Sequence, residues 1–152
     1  MQSVKKASLS DLDKLVPLFE AYIFFYGKYL NRGLSTIFLK ARLQNRESVI
    51  YMAYWGKKAV GFTQLYPLFS STCLQRLWLL NDLFVDSEYR QKGFASLLIK
   101  KAQQLSQETE ASGLLLETGK SNLPANQLYP QLGFKQDNEH HYYIWETPIA
   151  SL

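Results

Sequence analysis

The sequence predicts a mixed α/β domain, and three observations carry that prediction. Apolar residues recur at helical spacing after Ser10 and again after Gly93. Short β-branched and aromatic runs, separated by turn residues, lie before, between and beyond those two segments. No repeat, linker or low-complexity stretch interrupts the 152 residues, so a single domain over residues 1–152 is expected, long enough to bury a real core.

The elements follow in order. Residues 2–7 suit a short first strand. Ser10 is a suitable N-cap for a helix to about Tyr26, with Asp11 and Asp13 in its first turn and Leu12, Leu15, Val16, Phe19 and Ile23 on one face. Gly27 ends that helix, and Pro17 inside it predicts a kink or a delayed start. A second helix is expected over residues 34–45. Val49–Trp55 is aromatic and β-branched, and Gly56, Lys57 and Lys58 form its turn. Further strands are expected over residues 59–68, with Pro67 near the end, and over the mostly apolar residues 74–85, which suit a sheet centre. The next helix places Ala95, Leu98, Ala102 and Leu105 on one face. Residues 113–118 read as a continuous apolar strand, residues 122–131 as a short helix, Gly133 and Phe134 as the start of another strand, and residues 141–145 as the last.

Composition narrows the function. Hydrophobic residues are 47% and charged residues 20%, an ordinary globular balance. The net charge of +4 is modest, and without a run of five Lys or Arg the chain offers no nucleic-acid arm. A single cysteine, Cys73, excludes an intrachain disulfide and a cysteine zinc site, and the adjacent His140 and His141 are badly spaced for a helix-borne metal pair. No metal is therefore expected. Neither an apolar leader core nor a run of membrane-spanning length is present, so a cytoplasmic protein without a membrane partner is expected.

The most informative stretch is residues 81–99: an apolar strand, a basic glycine-containing turn, then an amphipathic helix. Helix N-termini present N–H groups without intrahelical partners, and the helix dipole adds partial positive charge. Arg90 and Lys92 add full charges, Gly93 admits close approach of a ligand, and small Ala95 leaves the helix start open. Such a turn suits a pyrophosphate. It lacks the three glycines of a dinucleotide fingerprint and the Gly-Lys-(Ser/Thr) of a P-loop.

The pattern Arg90-x-x-Gly93-x-Ala95 resembles the acetyl-CoA signature of the GNAT superfamily of N-acetyltransferases. Residues 122–134 resemble a second GNAT pattern, matched at Asn122, Ala125, Leu128, Tyr129, Gly133 and Phe134. The resemblance implies a mixed, mostly antiparallel central sheet of six to seven strands flanked by helices and splayed at the acetyl-CoA site. It implies that backbone groups near Leu83, Phe84 and Val85 hold pantetheine. Backbone groups of Gln91, Lys92, Gly93, Phe94, Ala95 and Ser96 would hold the pyrophosphate. Asn122 would contact CoA, and Tyr129 would protonate the departing thiolate, since a phenol keeps its proton at neutral pH. Asn122 also suits a helix N-cap. Pro130 is a departure, because a proline disfavours helix at the residue before it.

Aminolysis of a thioester needs a neutral amine, so a carboxylate, often acting through water, or ordered water itself takes the ammonium proton. Asp82 is the candidate. The run Leu80 to Val85 resembles the diamine (spermidine/spermine) N-acetyltransferase branch, with Asn81 where that branch carries Glu. Glu20 and the aromatic exit of the first helix, Tyr26 included, would meet a cationic substrate. The expected activity is direct acetyl transfer from acetyl-CoA to a primary amine of a small molecule, a polyamine or amino-acid-like compound, in a homodimer. The alternatives are a protein N-terminal or lysine acetyltransferase, or a non-catalytic acyl-CoA sensor on the same fold.

Overall fold

A computed structural model describes residues 1–149. Strand β1 (Gln2–Lys6) leads through a 3-10 turn (Leu9–Asp11) into helices α1 (Leu12–Phe25) and α2 (Arg32–Gln44). Strands β2 (Val49–Trp55), β3 (Lys58–Ser70) and β4 (Gln75–Val85) follow, then a second 3-10 turn (Ser87–Tyr89), helix α3 (Phe94–Glu108), the short strand β5 (Leu114–Leu115) and helix α4 (Leu123–Gln131). The chain forms two compact units, Met1–Gly119 and a second beginning at Lys120.

The first unit is built on a five-stranded sheet in the order β1-β2-β3-β4-β5, antiparallel except where β4 meets β5 in parallel. One face carries the α1 and α2 core: Leu15, Val16, Leu18, Phe19 and Leu39 pack with Ile50, Met52, Tyr54, Phe62 and Phe84. These are the positions that helical period and strand alternation assign inward. On α3, Leu98, Ile99 and Ala102 are fully buried and Leu105 nearly so, the stripe expected of an amphipathic helix.

Gly61 shows how tightly β3 and β4 approach. A Cβ built there would lie 2.7 Å from the carbonyl oxygen of Phe84, a backbone atom that cannot swing away. Gly61→Ala is therefore expected to destabilise the protein by about 1–3 kcal/mol. Thermal melting should show a midpoint lowered by several degrees, and an unchanged midpoint would mean that the strands part freely.

The helix starts differ from expectation at one point. Ser8, not Ser10, begins the first helical segment: its N–H donates to Asp11 Oδ2 at 2.9 Å, and its hydroxyl bonds Ser10 Oγ at 2.8 Å. A 3-10 turn opens this segment and α1 begins at Leu12, so the start is not delayed to Pro17, which lies inside the helix and forgoes one helical hydrogen bond. Asn31 caps α2 by accepting from the Leu34 N–H at 3.1 Å. Gly27, at φ 70°, turns the chain out of α1.

Five strands form among the described residues, against the six to seven expected. The strand expected over residues 113–118 is reduced to Leu114–Leu115, and the strands expected from Gly133 and over residues 141–145 are not formed among the described residues. Alternation is a property of side chains, whereas a strand exists only through a hydrogen-bonded neighbour. Among the described residues, the pattern beyond Leu115 has no ladder partner to use.

In the second unit, Pro130 does not stop the helix at Tyr129; α4 runs on to Gln131. The reason is the way the helix ends. The Phe134 N–H donates to Tyr129 O and the Gly133 N–H to Pro130 O, both at 3.1 Å, with Gly133 at φ 90°. This is a Schellman end, so Pro130 lies in the last turn, where its missing N–H removes a single helical bond. The rings of Tyr129 and Phe134 meet edge to face at 5.6 Å and complete the cap.

Candidate active site

The glycine turn is built by its own sequence. Asp86 Oδ1 accepts from the Glu88 N–H at 3.1 Å and shapes the 3-10 turn after β4. Gln91 at φ 59° and Gly93 at φ 85° then adopt left-handed conformations that aim successive N–H groups the same way, a backbone arrangement that holds anions. Gly93 is the N-cap of α3 and has no side chain to occupy the first-turn donors. The first intrahelical bond runs from the Leu97 N–H to Gly93 O at 3.1 Å, which leaves the N–H groups of Phe94, Ala95 and Ser96 ahead of the ladder. A Cβ at Gly93 would meet open space. Phe94, 1% exposed, anchors the helix start edge to face against Trp55 and Tyr89. The Gln2 amide ties β1 to the turn by donating to Lys92 O at 2.8 Å.

The two cations of the turn are engaged within the protein. Arg90 donates from Nε to Val85 O at 2.9 Å, and its guanidinium lies over the rings of Phe25 (5.4 Å) and Phe84 (5.7 Å). Lys92 donates to Glu88 O at 2.8 Å over the Tyr89 ring. Their charge reaches the turn, while their side chains brace it.

Strand β4 opens beside this turn. Its pairing with β5 covers Trp78 and Leu79, so from Leu80 to Val85 its outer edge has no strand neighbour among the described residues. The Asp86 N–H donates to Val60 O, and by alternation the backbone of Phe84 also faces β3 while Leu83 and Val85 face the open edge. Phe84 thus contributes its ring, 6.4 Å from Tyr22. The open edge and the uncapped helix start together fit an extended, amide-bearing ligand ending in a pyrophosphate.

A bulge sits at the same place. Gln64 pairs with Asp82 but Leu65 pairs with Leu80, leaving Asn81 as the extra residue on β4 and shifting side-chain alternation by one. Asp82, 4% exposed, is thereby turned into the sheet interior. Its Oδ2 accepts from Gln64 Nε2 at 2.7 Å and its Oδ1 from Asn81 Nδ2 at 3.0 Å. The Tyr22 hydroxyl donates to the neighbouring Asn81 O at 3.4 Å. Burial pushes the Asp82 carboxyl above the ordinary carboxylate range, and the hydrogen bonds it accepts, that from Gln64 first, only partly offset this. Burial, and then the Asp82 charge, also raise the phenols of Tyr22 and Tyr26, and push Tyr66 up to about 12. Three protonated phenols therefore surround one buried carboxyl.

Of the remaining predicted residues, Tyr26 is half exposed at the exit of α1, its ring 5.0 Å from Tyr22. Glu20 is buried on α1, and its Oε2 lies 3.3 Å from Arg32 Nε, so its charge is answered within the protein. Asn122 and Tyr129 belong to the second unit. There Asn122 caps α4 by accepting from the Ala125 N–H at 3.4 Å, and Tyr129 occupies the last turn. Sequence reasoning missed Gln64, Ser48 and Tyr66. The available signal was an amide in the apolar strand Val60 to Tyr66, which a buried position would oblige to find a partner.

A mostly antiparallel sheet with an open strand edge, a bulge and an anion-binding helix start describes an acyl-CoA-dependent transferase fold. Residues 15–134 match the acetyltransferase (GNAT) family, and the chain belongs to that family. It is an acetyltransferase. The chain is 38% identical over 146 residues to an uncharacterized N-acetyltransferase, YhfO, of Bacillus subtilis, covering 96% of this chain and 98% of that one. It is 37% identical over 113 residues to a probable acetyltransferase of Haemophilus influenzae, covering 74% and 77%. A crystal structure of a probable acetyltransferase superposes with a TM-score of 0.92 at 38% identity, covering 97% of this chain and 99% of that one. Among the described residues no three His, Cys, Asp or Glu side chains gather as a metal site, and no helix is long and apolar enough to cross a membrane.

Proposed function

We propose that this enzyme transfers acetyl from acetyl-CoA directly to the primary amine of a small cationic molecule, a polyamine or an amino-acid-like compound. The observation that carries the reading is Asp82: a carboxyl inside the bulge of the strand whose open edge adjoins the glycine turn. Its raised proton affinity brings it closer to neutral pH than an ordinary aspartate, which suits a general base. The resemblance of residues 80–85 to the diamine branch supports the same acceptor class.

In this reading Gln91 to Ser96 and the outer edge of β4 at Leu83 and Val85 bind acetyl-CoA as co-substrate. Asp82 takes one proton from the ammonium group, and the freed nitrogen lone pair bonds to the thioester carbonyl carbon. As the carbon–sulfur bond breaks, a phenol gives its proton to sulfur, the role that the resemblance of residues 122–134 gives Tyr129; the second proton leaving nitrogen restores that phenol, so the net release is one proton. Tyr26 and Asn81 border the amine's side of Asp82, and Glu20, held by Arg32, supports α1. The homodimer and the cytoplasmic location expected from the sequence belong to the same reading.

Transfer from acetyl-CoA to a panel of primary amines, comparing diamines and amino acids with simple alkyl monoamines that carry no second polar group, tests the acceptor class. Preference for the simple monoamines would overturn it. Tyr129→Phe should lower turnover by about 10²–10⁴-fold with acetyl-CoA affinity unchanged. Full activity of that variant at saturating substrate would leave Tyr129 as the Schellman partner of Phe134 alone.

A further inference from the structure

Gln64 is fully buried on β3, directly across the ladder from Asp82. Its Nε2 donates to Asp82 Oδ2 at 2.7 Å, while its Oε1 accepts from Ser48 Oγ at 2.8 Å. Ser48 is itself buried, just ahead of β2. On the other side of the same carboxyl, Asn81 Nδ2 reaches Oδ1, while Thr63 Oγ1 donates to the backbone carbonyl of Asp82 at 2.8 Å. The result is a polar chain that runs from Ser48 through Gln64 on β3 to Asp82 and Asn81 on β4.

We propose that Gln64, seated by Ser48, is the positioning residue of acetyl transfer: its amide fixes the orientation of the Asp82 carboxylate and keeps it ionised in an apolar interior. This rests on the reading of Asp82 as the base. The argument is one of satisfaction. An ionised carboxylate only accepts, and a buried one needs donors on both oxygens. Two side-chain donors reach this carboxyl, Gln64 Nε2 at 2.7 Å and Asn81 Nδ2 at 3.0 Å, and neither is a cation. The titratable groups facing it are Tyr22 and Tyr26 at the end of α1 and Tyr66 on β3, with Arg42 acting on Tyr66 and Glu117 on Tyr26. None of the three facing phenols carries a positive charge, so neutral donors stabilise the carboxylate, and Gln64 makes the shortest of those bonds. A glutamine amide can sit two ways round, and only one presents N–H to Asp82. Ser48, donating to the far oxygen, completes that one.

The test is a carboxyl carbon-13 NMR titration of aspartate-labelled protein, with Asp82→Asn identifying the Asp82 resonance. In Gln64→Met, which conserves volume but removes the donor, Asp82 should titrate about one to two pH units higher than in the wild type. Ser48→Ala should move it in the same direction by less, since the hydroxyl does not touch the carboxyl. An unchanged Asp82 titration in Gln64→Met overturns the proposal. If that variant does not fold, an unshifted titration in Ser48→Ala overturns it. The underlying reading fails separately: should Asp82→Asn acetylate spermidine as fast as the wild type, Asp82 is not the base, whatever the titration of the Gln64 variant.

Discussion

Asp82→Asn is expected to lower acetyl transfer to a primary amine by about 10²–10⁴-fold while acetyl-CoA binds as before. The substitution keeps the shape of the side chain and a carbonyl that still accepts from Gln64, but no longer takes a proton. The loss should be largest near neutral pH, where alkylammonium groups are almost fully charged, and smaller at alkaline pH, where free amine is supplied by solution. A second consequence concerns stability. The native carboxyl holds its proton more tightly than the unfolded chain does, because burial disfavours the charge. Wild-type stability should therefore fall as pH rises from about 4, the ordinary carboxylate range, through the raised value of Asp82. Asp82→Asn lacks this contribution, so denaturation at several pH values should show its stability relative to the wild type growing over the same window. A constant difference across that window would mean that burial does not shift Asp82.

Gly93→Glu should abolish measurable acetyl-CoA binding in calorimetry. Gly93 has a left-handed backbone at φ 85°, so any side chain there adds strain of about 1–2 kcal/mol. The space its Cβ would enter is open, and the protein should still fold. The carboxylate would lie beside the N–H groups of Phe94, Ala95 and Ser96, where the helix dipole favours it. It would thus take the place of the phosphates and repel them. Gly93→Ala separates the two effects, since it adds the strain without the charge and should weaken binding far less. Equal CoA affinity in the wild type and Gly93→Glu would place the pyrophosphate elsewhere.

Local signals were the legible ones. Residues 49–55 form the strand their β-branched and aromatic pattern predicts, and the helix after Gly93 buries the face its spacing predicts. The two motifs have local explanations as well. Gly93 is needed for a left-handed N-cap without a side chain. The Asn122 to Phe134 spacing is that of a helix start capped by Asn122 and a helix end closed by Gly133 and Phe134. What could not be read was non-local. The bulge at Asn81 arises from register against β3, and no feature of residues 75–85 alone marks it. Asp82 was visible as an acid in an apolar strand, but its partner Gln64 lies 18 residues away in sequence. The later strands failed for the same reason in reverse: residues 141–145 carry the pattern, but ladder partners cannot be read from a pattern.

The central claim is that this chain acetylates a small primary amine with Asp82 as the base. The most direct measurement follows free-thiol release from acetyl-CoA by the purified protein, with and without spermidine, putrescine and lysine, and identifies the product by mass spectrometry. The account predicts amine-dependent release matched by acetylated amine, and its loss in Asp82→Asn. Acetyl-CoA binding without amine-dependent release, or undiminished transfer by Asp82→Asn, would contradict it.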